Sequence, residues 1–275
     1  MTRLAARWDR PVALVPTMGA LHAGHLALVD RARREVGRRG IVVVSIFVNP
    51  LQFGPKEDLS RYPRPLRRDL ALCREHGVDH VFHPDAAGMY APGRSVFIDE
   101  SLLTGSLCGR SRPGHFSGVC TVVAKLFNLV RPTVAVFGEK DYQQLAIIRQ
   151  MVRDLNFPLR IVGHEIVREP DGLALSSRNV YLTPEERAQV TVLRRALRRV
   201  RERADAGERS TARLRQMLAR ELATAPLARV DYAEIVDAAD LQPVKTLERP
   251  ALAALAVFFG RTRLIDNHLL DAPGK

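Results

Sequence analysis

The first half of the chain alternates short β-branched runs with longer stretches of helical spacing, and no other feature narrows its fold so far. "VALVP" (12–16), "IVVVSIFV" (41–48), "DHVFHP" (79–84) and "TVAVFG" (133–138) have the length and composition of strands. Between and after them lie "HLALVDRARREV" (25–36), "PLRRDLALCREHG" (65–77), "GVCTVVAKLFNLVR" (118–131) and "KDYQQLAIIRQMVRDL" (140–155), each with apolar residues at helical intervals. The second of these opens on a proline and stops at Gly77, residues suited to those two ends. Strands that alternate with helices are joined by right-handed crossovers, so the expectation is an α/β protein with a doubly wound parallel sheet covered on both faces.

The pattern changes near residue 165. "VREPDGLALSSRNVYLTPEER" carries the turn residues Asp171 and Gly172, two serines and a new helix start at Thr183, Pro184 and Glu186. A helical pair follows, split near Ala206 and Gly207, and then the runs "RVDYAEIV", "ALAALAVFFG" and "TRLIDNHLL". Helices followed by strands predict a smaller α+β domain. The expected division is therefore 1–166 and 167–275.

The 275 residues carry a formal net charge of +12, which alone would favour a polyanionic partner. Much of the excess lies in "LRRALRRVRERADAGERSTARLRQMLARE", where Arg and Leu are spaced as the two faces of amphipathic helices. No aromatic residues interleave with the arginines to stack on bases, so the run reads as a solvated helical face and nucleic acid is not expected as a partner. Cys73, Cys108 and Cys120 are too far apart for a redox or zinc motif, and no apolar stretch resembles an export signal or a membrane span. A cytoplasmic protein without a membrane partner is the expectation.

In an open parallel sheet, ligands bind beyond the carboxyl ends of the strands, and the turn after the first strand commonly receives phosphate. "PTMGALHAGH" (16–25) stands there. Gly19 and Gly24 allow close backbone approach, and His25 would open a helix whose unpaired N–H groups and dipole favour anions. His22 and His25 can donate to phosphate oxygens and to charge that develops there. Either histidine alone would read as a cap or a surface residue; the order strand, glycine, His-x-Gly-His, helix points to ATP and attack on its α-phosphate. "SIFVNPLQF" adds Asn49 and Gln52, amides suited to a small hydroxy acid. "RSRPGHFSGVCTVV" adds Arg112 and His115, "FGEKDYQQL" adds Lys140, Asp141 and Gln144, and "ALSSRN" adds Ser176, Ser177 and Arg178. Singly these are weak: Lys140 reads equally well as a complement to Glu139, and glutamines in a helix as surface.

Taken together, "PTMGALHAGH", "SIFVNPLQF", "RYPR", "SRPGHFSGV", "FGEKDYQQL", "DGLALSSRN" and "RLIDN" resemble the pantothenate synthetase (pantoate:β-alanine ligase) family of the His-x-Gly-His nucleotidyltransferases, in order from Val12 to about Asn267. The resemblance implies a Rossmann-like domain with a smaller C-terminal lid domain, a homodimer, and ATP-dependent condensation of pantoate with β-alanine through a pantoyl adenylate, releasing AMP and pyrophosphate. It also implies Mg²⁺ with ATP. Carried over by motif, His25, Lys140, His22 and Arg178 are catalytic. ATP is contacted by Pro16, Thr17, Met18, His22, His25, Gly138, Lys140, Asp141, Val167, Leu175, Ser176, Ser177 and Arg178. Pantoate is contacted by Met18, Asn49, Gln52 and Gln144, and Arg112 and His115 belong to a gate-like segment.

Two departures stand out. The family often has an acidic pair after "RYPR", whereas this chain has Arg68 then Asp69, which leaves Asp69 as the candidate metal ligand, or else the ATP phosphates and water. The chain also begins close to its first strand, without the longer N-terminal helix common in the family. A class I aminoacyl-tRNA synthetase would need a Lys-rich second signature and an anticodon-binding appendage; here "SSRN" stands in that place and only residues 180–275 follow. The non-enzymatic rival is a basic RNA-binding module built on the arginine helices. No Ser/His/Asp constellation calls for a covalent enzyme intermediate.

Overall fold

A computed structural model of the chain describes residues 1–55 and 57–271. The chain divides into two compact units. The first comprises Met1–Ser101, Arg112–Glu139 and Gln144–Ile166; the second comprises Leu102–Ser111, Lys140–Gln143 and Val167–Lys275. Two short excursions, 102–111 and 140–143, belong with the later residues instead of with their sequence neighbours.

In chain order the elements begin with α1 (Thr2–Ala5), β1 (Val12–Thr17), α2 (Ala23–Val36), β2 (Ile41–Ile46), α3 (Leu66–Glu75), β3 (His80–Phe82) and α4 (Ala86–Met89). Next come α5 (Leu107–Ser111), α6 (His115–Val130), β4 (Val134–Gly138), α7 (Tyr142–Asp154) and β5 (Arg160–His164). The last stretch holds α8 (Pro184–Gln189), α9 (Val192–Asp205), α10 (Thr211–Leu222), β6 (Ala228–Asp237), β7 (Ala251–Phe259) and β8 (Thr262–Leu270).

The first unit is built on a parallel five-stranded sheet of order β3-β2-β1-β4-β5. β1 pairs with β2 from Val12↔Ile41 to Thr17↔Ile46 and with β4 on its other side. Every residue of β2 is buried, which is why its sequence is an unbroken apolar run and not an alternating one. Helix α2 ends at Gly37, whose φ of +69° is the left-handed conformation that glycine adopts without a Cβ penalty. Its Leu28, Val29 and Ala32 meet Val42 and Val44 of β2 and Val134 and Val136 of β4 in one core.

The second unit carries an antiparallel sheet of order β6-β7-β8. β7 is buried almost throughout, and Leu193, Leu197 and Val200 of α9 pack with Leu214, Leu218 and Leu222 of α10 against Leu255, Val257 and Phe259. The arginines of α9 occupy the other faces: Arg195 and Arg199 both bond the buried Glu221 of α10, and Arg198 and Arg201 pair at i,i+4 with Glu202 and Asp205. Buried Gln143, 6% exposed, holds the 102–111 excursion. Its Nε2 donates to the carbonyls of Leu103 (2.7 Å) and Ser106 (2.9 Å), and its Oε1 accepts from Cys108 N (2.9 Å). A glutamine that reads as helix surface is thus buried and fully used. Among the described residues no helix is long and apolar enough to cross a membrane.

Candidate active site

β1 is the strand at which the chain reverses direction across the sheet, with β2 on one side and β4 on the other, so the crevice beyond its carboxyl end is the topological switch point. Residues 18–22 line that end. Thr17 Oγ1 donates to Ser45 O at 2.7 Å and accepts from Gly19 N at 3.1 Å, tying the turn to both central strands. Gly19 and Ala20 have φ of +80° and +51°, and a Cβ on Gly19 would lie 3.0 Å from both Asp69 Oδ2 and Ile46 Cγ2. The carboxylate of Asp69, 1% exposed, accepts from Ala20 N (2.8 Å) and Leu21 N (2.9 Å) and holds the left-handed residues in place.

Both oxygens of Asp69 accept backbone N–H groups of the turn. Arg68 beside it is exposed, and among the described residues no three His, Cys, Asp or Glu side chains are grouped to hold a metal ion. Nor is the helix end an open nest of amides. The helix starts at Ala23 rather than at His25, and His22 is its N-cap. His22 Nδ1 accepts from Gly24 N at 3.2 Å, and His25 Nδ1 accepts from His22 N at 3.3 Å, a capping box made of two imidazoles. The rings are 4.1 Å apart between centroids. A neutral ring that accepts at Nδ1 carries its hydrogen on Nε2, so the capping bonds select the tautomer whose far nitrogen is a donor.

The segment after β2 is equally specific. Asn49, 1% exposed, donates through Nδ2 to Gln52 Oε1 (3.1 Å) and Gly118 O (3.0 Å). Its Oδ1 accepts from Leu51 N (3.3 Å) and Tyr90 Oη (2.7 Å). All four of its hydrogen-bonding positions are used within the fold, so Asn49 holds the segment in place. Burial pushes the Tyr90 phenol up to about 12, which keeps it a donor to Asn49. Gln52 Nε2 lies 3.2 Å from Met18 Sδ and joins this segment to the first turn. Helix α6 packs so closely here that a Cβ on Gly118 would collide with Leu51 O.

Arg112 and His115 buttress the same segment. Arg112 donates to both oxygens of Glu57 (2.7 and 2.6 Å), to Gln52 O (3.1 Å) and to His115 Nε2 (3.0 Å), while His115 Nδ1 donates to Gln52 O (2.8 Å). Burial acts to raise the Glu57 carboxyl, but the Arg112 bonds outweigh it and hold the group below its ordinary range. Sequence reading did not single out Glu57: it lies inside "FGPKEDLS", and only the fold brings Arg112, 55 residues away, against it. At the end of β4, a Cβ on Gly138 would meet nothing within 4 Å. Gln144, half-buried on α7, makes no hydrogen bond through its amide among the described residues.

In the second unit, Lys140 has its carbonyl bonded by Asn267 Nδ2 at 2.9 Å, and Asp141 next to it is exposed. Val167 and Leu175 face each other across a short hairpin, with Leu175 N donating to Val167 O at 3.0 Å. Ser176 caps the 3₁₀ turn Ser177–Tyr181, its Oγ accepting from Arg178 N at 3.2 Å. Asn179 Nδ2 donates to Glu169 Oε1 (2.8 Å) and Ala174 O (3.2 Å), so the "SSRN" end is stapled to its own hairpin.

A doubly wound sheet with a His-x-Gly-His cap at its switch point defines an ATP-using nucleotidyl-transfer enzyme. The pantoate-β-alanine ligase family model matches residues 1–269. A pantothenate synthetase from Akkermansia muciniphila is 57% identical over 256 residues, 93% of this chain and 91% of that protein. The crystal structure of pantothenate synthetase from Thermus thermophilus superposes with a TM-score of 0.92 at 52% identity, covering 97% of this chain and 96% of that one. The Francisella tularensis ligase, complexed with beta-gamma ATP and beta-alanine, gives 0.79 at 34% identity over 98% and 94% of the two chains. The chain belongs to the pantoate-β-alanine ligase family, and its activity is that of the family.

Proposed function

We propose that this chain makes pantothenate in two steps on a triphosphate whose α- and β-phosphates are met by His22 and His25. The observation that carries the reading is the double-imidazole capping box, which orients both rings and selects the Nε2–H tautomer. In the first step a pantoate carboxylate oxygen forms a bond to the α-phosphorus of ATP as the bond to the β-phosphate oxygen breaks, and pyrophosphate leaves. Repulsion between two anions opposes this step. His22, His25, Lys140, Ser176, Ser177 and Arg178 are assigned to neutralise that charge and to align the attack. In the second step the β-alanine amine attacks the acyl carbon, AMP leaves with the bonding electron pair, and the amine gives up a proton.

Met18, Gln52 and Gln144 are assigned to pantoate, with Asn49 positioning Gln52. Gly138 and Asp141 are assigned to the ribose, the open space over Gly138 supporting its part. Pro16, Thr17, Val167 and Leu175 complete the nucleotide contacts. Mg²⁺ is assigned to enter as the ATP complex, held by phosphates and water, a reading supported by the two backbone bonds that Asp69 already accepts.

A homodimer is assigned on the family resemblance. A cytoplasmic location is supported by the three cysteines, all free thiols. Rapid quench with pantoate, MgATP and no β-alanine tests the mechanism: one pyrophosphate per site should appear and then stall. Pyrophosphate that appears only with β-alanine would overturn the two-step route.

A further inference from the structure

Strand β8 carries an acid and an amide side by side, Asp266 and Asn267, 3% and 6% exposed. Neither takes part in the chemistry assigned above. Asn267 Nδ2 donates to the carbonyl of Lys140 at 2.9 Å. Asp266 accepts both arms of Arg168, at 2.7 and 2.9 Å, and its Oδ1 also accepts Asn267 N at 2.8 Å. Arg168 donates onward to Gly172 O at 3.0 Å and bridges to Ala174 across the hairpin that ends in Ser176. Two consecutive residues therefore hold the turn that carries Lys140 and the hairpin that carries Ser176–Arg178.

The strand is a firm base for this. β8 pairs with β7 along its whole length, from Phe259↔Thr262 to Ala251↔Leu270. Successive side chains on a strand face opposite sides, so a consecutive pair lets one strand reach two segments. The Asp266 carboxylate is shared between Arg168 and the backbone N–H of Asn267, the residue whose side chain holds the Lys140 carbonyl, so the two segments are fixed from one point of the strand.

We propose that Asp266 and Asn267 are positioning residues for adenylation, setting the Lys140 turn relative to the Ser176–Arg178 loop so that ammonium, hydroxyls and guanidinium address one triphosphate. The proposal rests on the assignment of Lys140 to the ATP phosphates. Without the Asn267 donor, the part-buried Lys140 carbonyl loses this bond and the turn can drift. A displacement of about 1 Å from the reactive alignment costs on the order of a hundredfold in rate.

The test is a double-mutant cycle on single-turnover pyrophosphate release with pantoate and MgATP, read together with thermal unfolding. Asn267→Ala should slow adenylation about tenfold to hundredfold while leaving the pantoate KM unchanged, and Asn267→Leu, which keeps the side-chain volume, should match it. Lys140→Ala should be slow, and the Lys140→Ala, Asn267→Ala pair no slower, because nothing remains to be positioned. Multiplying losses in the pair would overturn the proposal alone, as would wild-type adenylation in either Asn267 variant or loss of the fold in both. Wild-type adenylation by Lys140→Ala would overturn the underlying assignment and the proposal with it.

Discussion

His22 and His25 accept through the same ring atom, Nδ1, and close one helix end between them: Gly24 N bonds the first at 3.2 Å and His22 N bonds the second at 3.3 Å. The cap and the proposed phosphate donor are thus opposite edges of one ring, and a substitution can separate the two parts. Asn at position 22 keeps a short-chain acceptor for the cap and lacks the far nitrogen. His22→Asn should unfold at the wild-type temperature or above, yet lose about 10²- to 10³-fold in adenylation. His22→Ala should lose the same activity and, in addition, about 1 kcal/mol of stability. Equal melting temperatures for the two variants, or adenylation retained in His22→Asn, would separate these residues from the parts given to them.

Asn49 and Gln52 should behave differently although they are neighbours. Asn49→Ala strips partners from Gln52 Oε1, Gly118 O and Tyr90 Oη in a buried setting, with about 1–3 kcal/mol at stake for each group left unsatisfied. The variant should melt well below wild type and show a raised pantoate KM. Gln52→Ala, at a half-buried site, should raise the pantoate KM with little change in melting temperature. The double variant should be no worse for pantoate than Gln52→Ala alone, and steady-state titration of pantoate decides this.

The Glu57–Arg112 pair makes the 49–62 segment sensitive to acid. The Glu57 carboxyl is lowered on folding, so its contribution is fully present above the ordinary carboxylate pKa of 4.5 and is lost as pH falls through the lowered folded value. Protonation removes the charge that orients Arg112, and with it the Arg112 bonds to Gln52 O and His115. Protection of the Leu51–Phe53 amides, taken relative to their intrinsic exchange rates at each pH, should fall below that pH in wild type. Glu57→Gln should show fast exchange there at neutral pH and a flat acid limb; slow, wild-type exchange in that variant would remove the pair from any part in holding the segment.

Much of the frame was legible because burial leaves a periodic trace. Ile41–Ile46 is buried on both faces of the sheet and reads as an unbroken apolar run, and the Leu and Ala positions of α9 repeat at helical spacing because one face is in the core. Caps are local too: Gly37, Gly77 and the Thr183–Glu186 box sit within a few residues of the ends they make. The motif turns fall at strand ends for the same reason, since the strands themselves are visible. β5, with its irregular burial, left no such run and was not distinguished.

The polar contacts that give each motif its geometry were decided only in three dimensions. Asp69 braces residues 20 and 21 from 48 or more positions away, Arg112 finds Glu57 from 55 away, and Asn267 finds Lys140 from 127 away. The buried amide of Gln143, which looks in sequence like any surface glutamine, ties the excursions 102–111 and 140–143 to each other, and bonds such as Tyr142 Oη to Ala238 O and Ser111 Oγ to Asp231 tie them to the rest of the second unit. A hydrophobic face must recur along the chain to build a core, so it can be read along the chain. One hydrogen bond between distant residues needs a single donor, a single acceptor and the right separation, and only the folded backbone supplies the last.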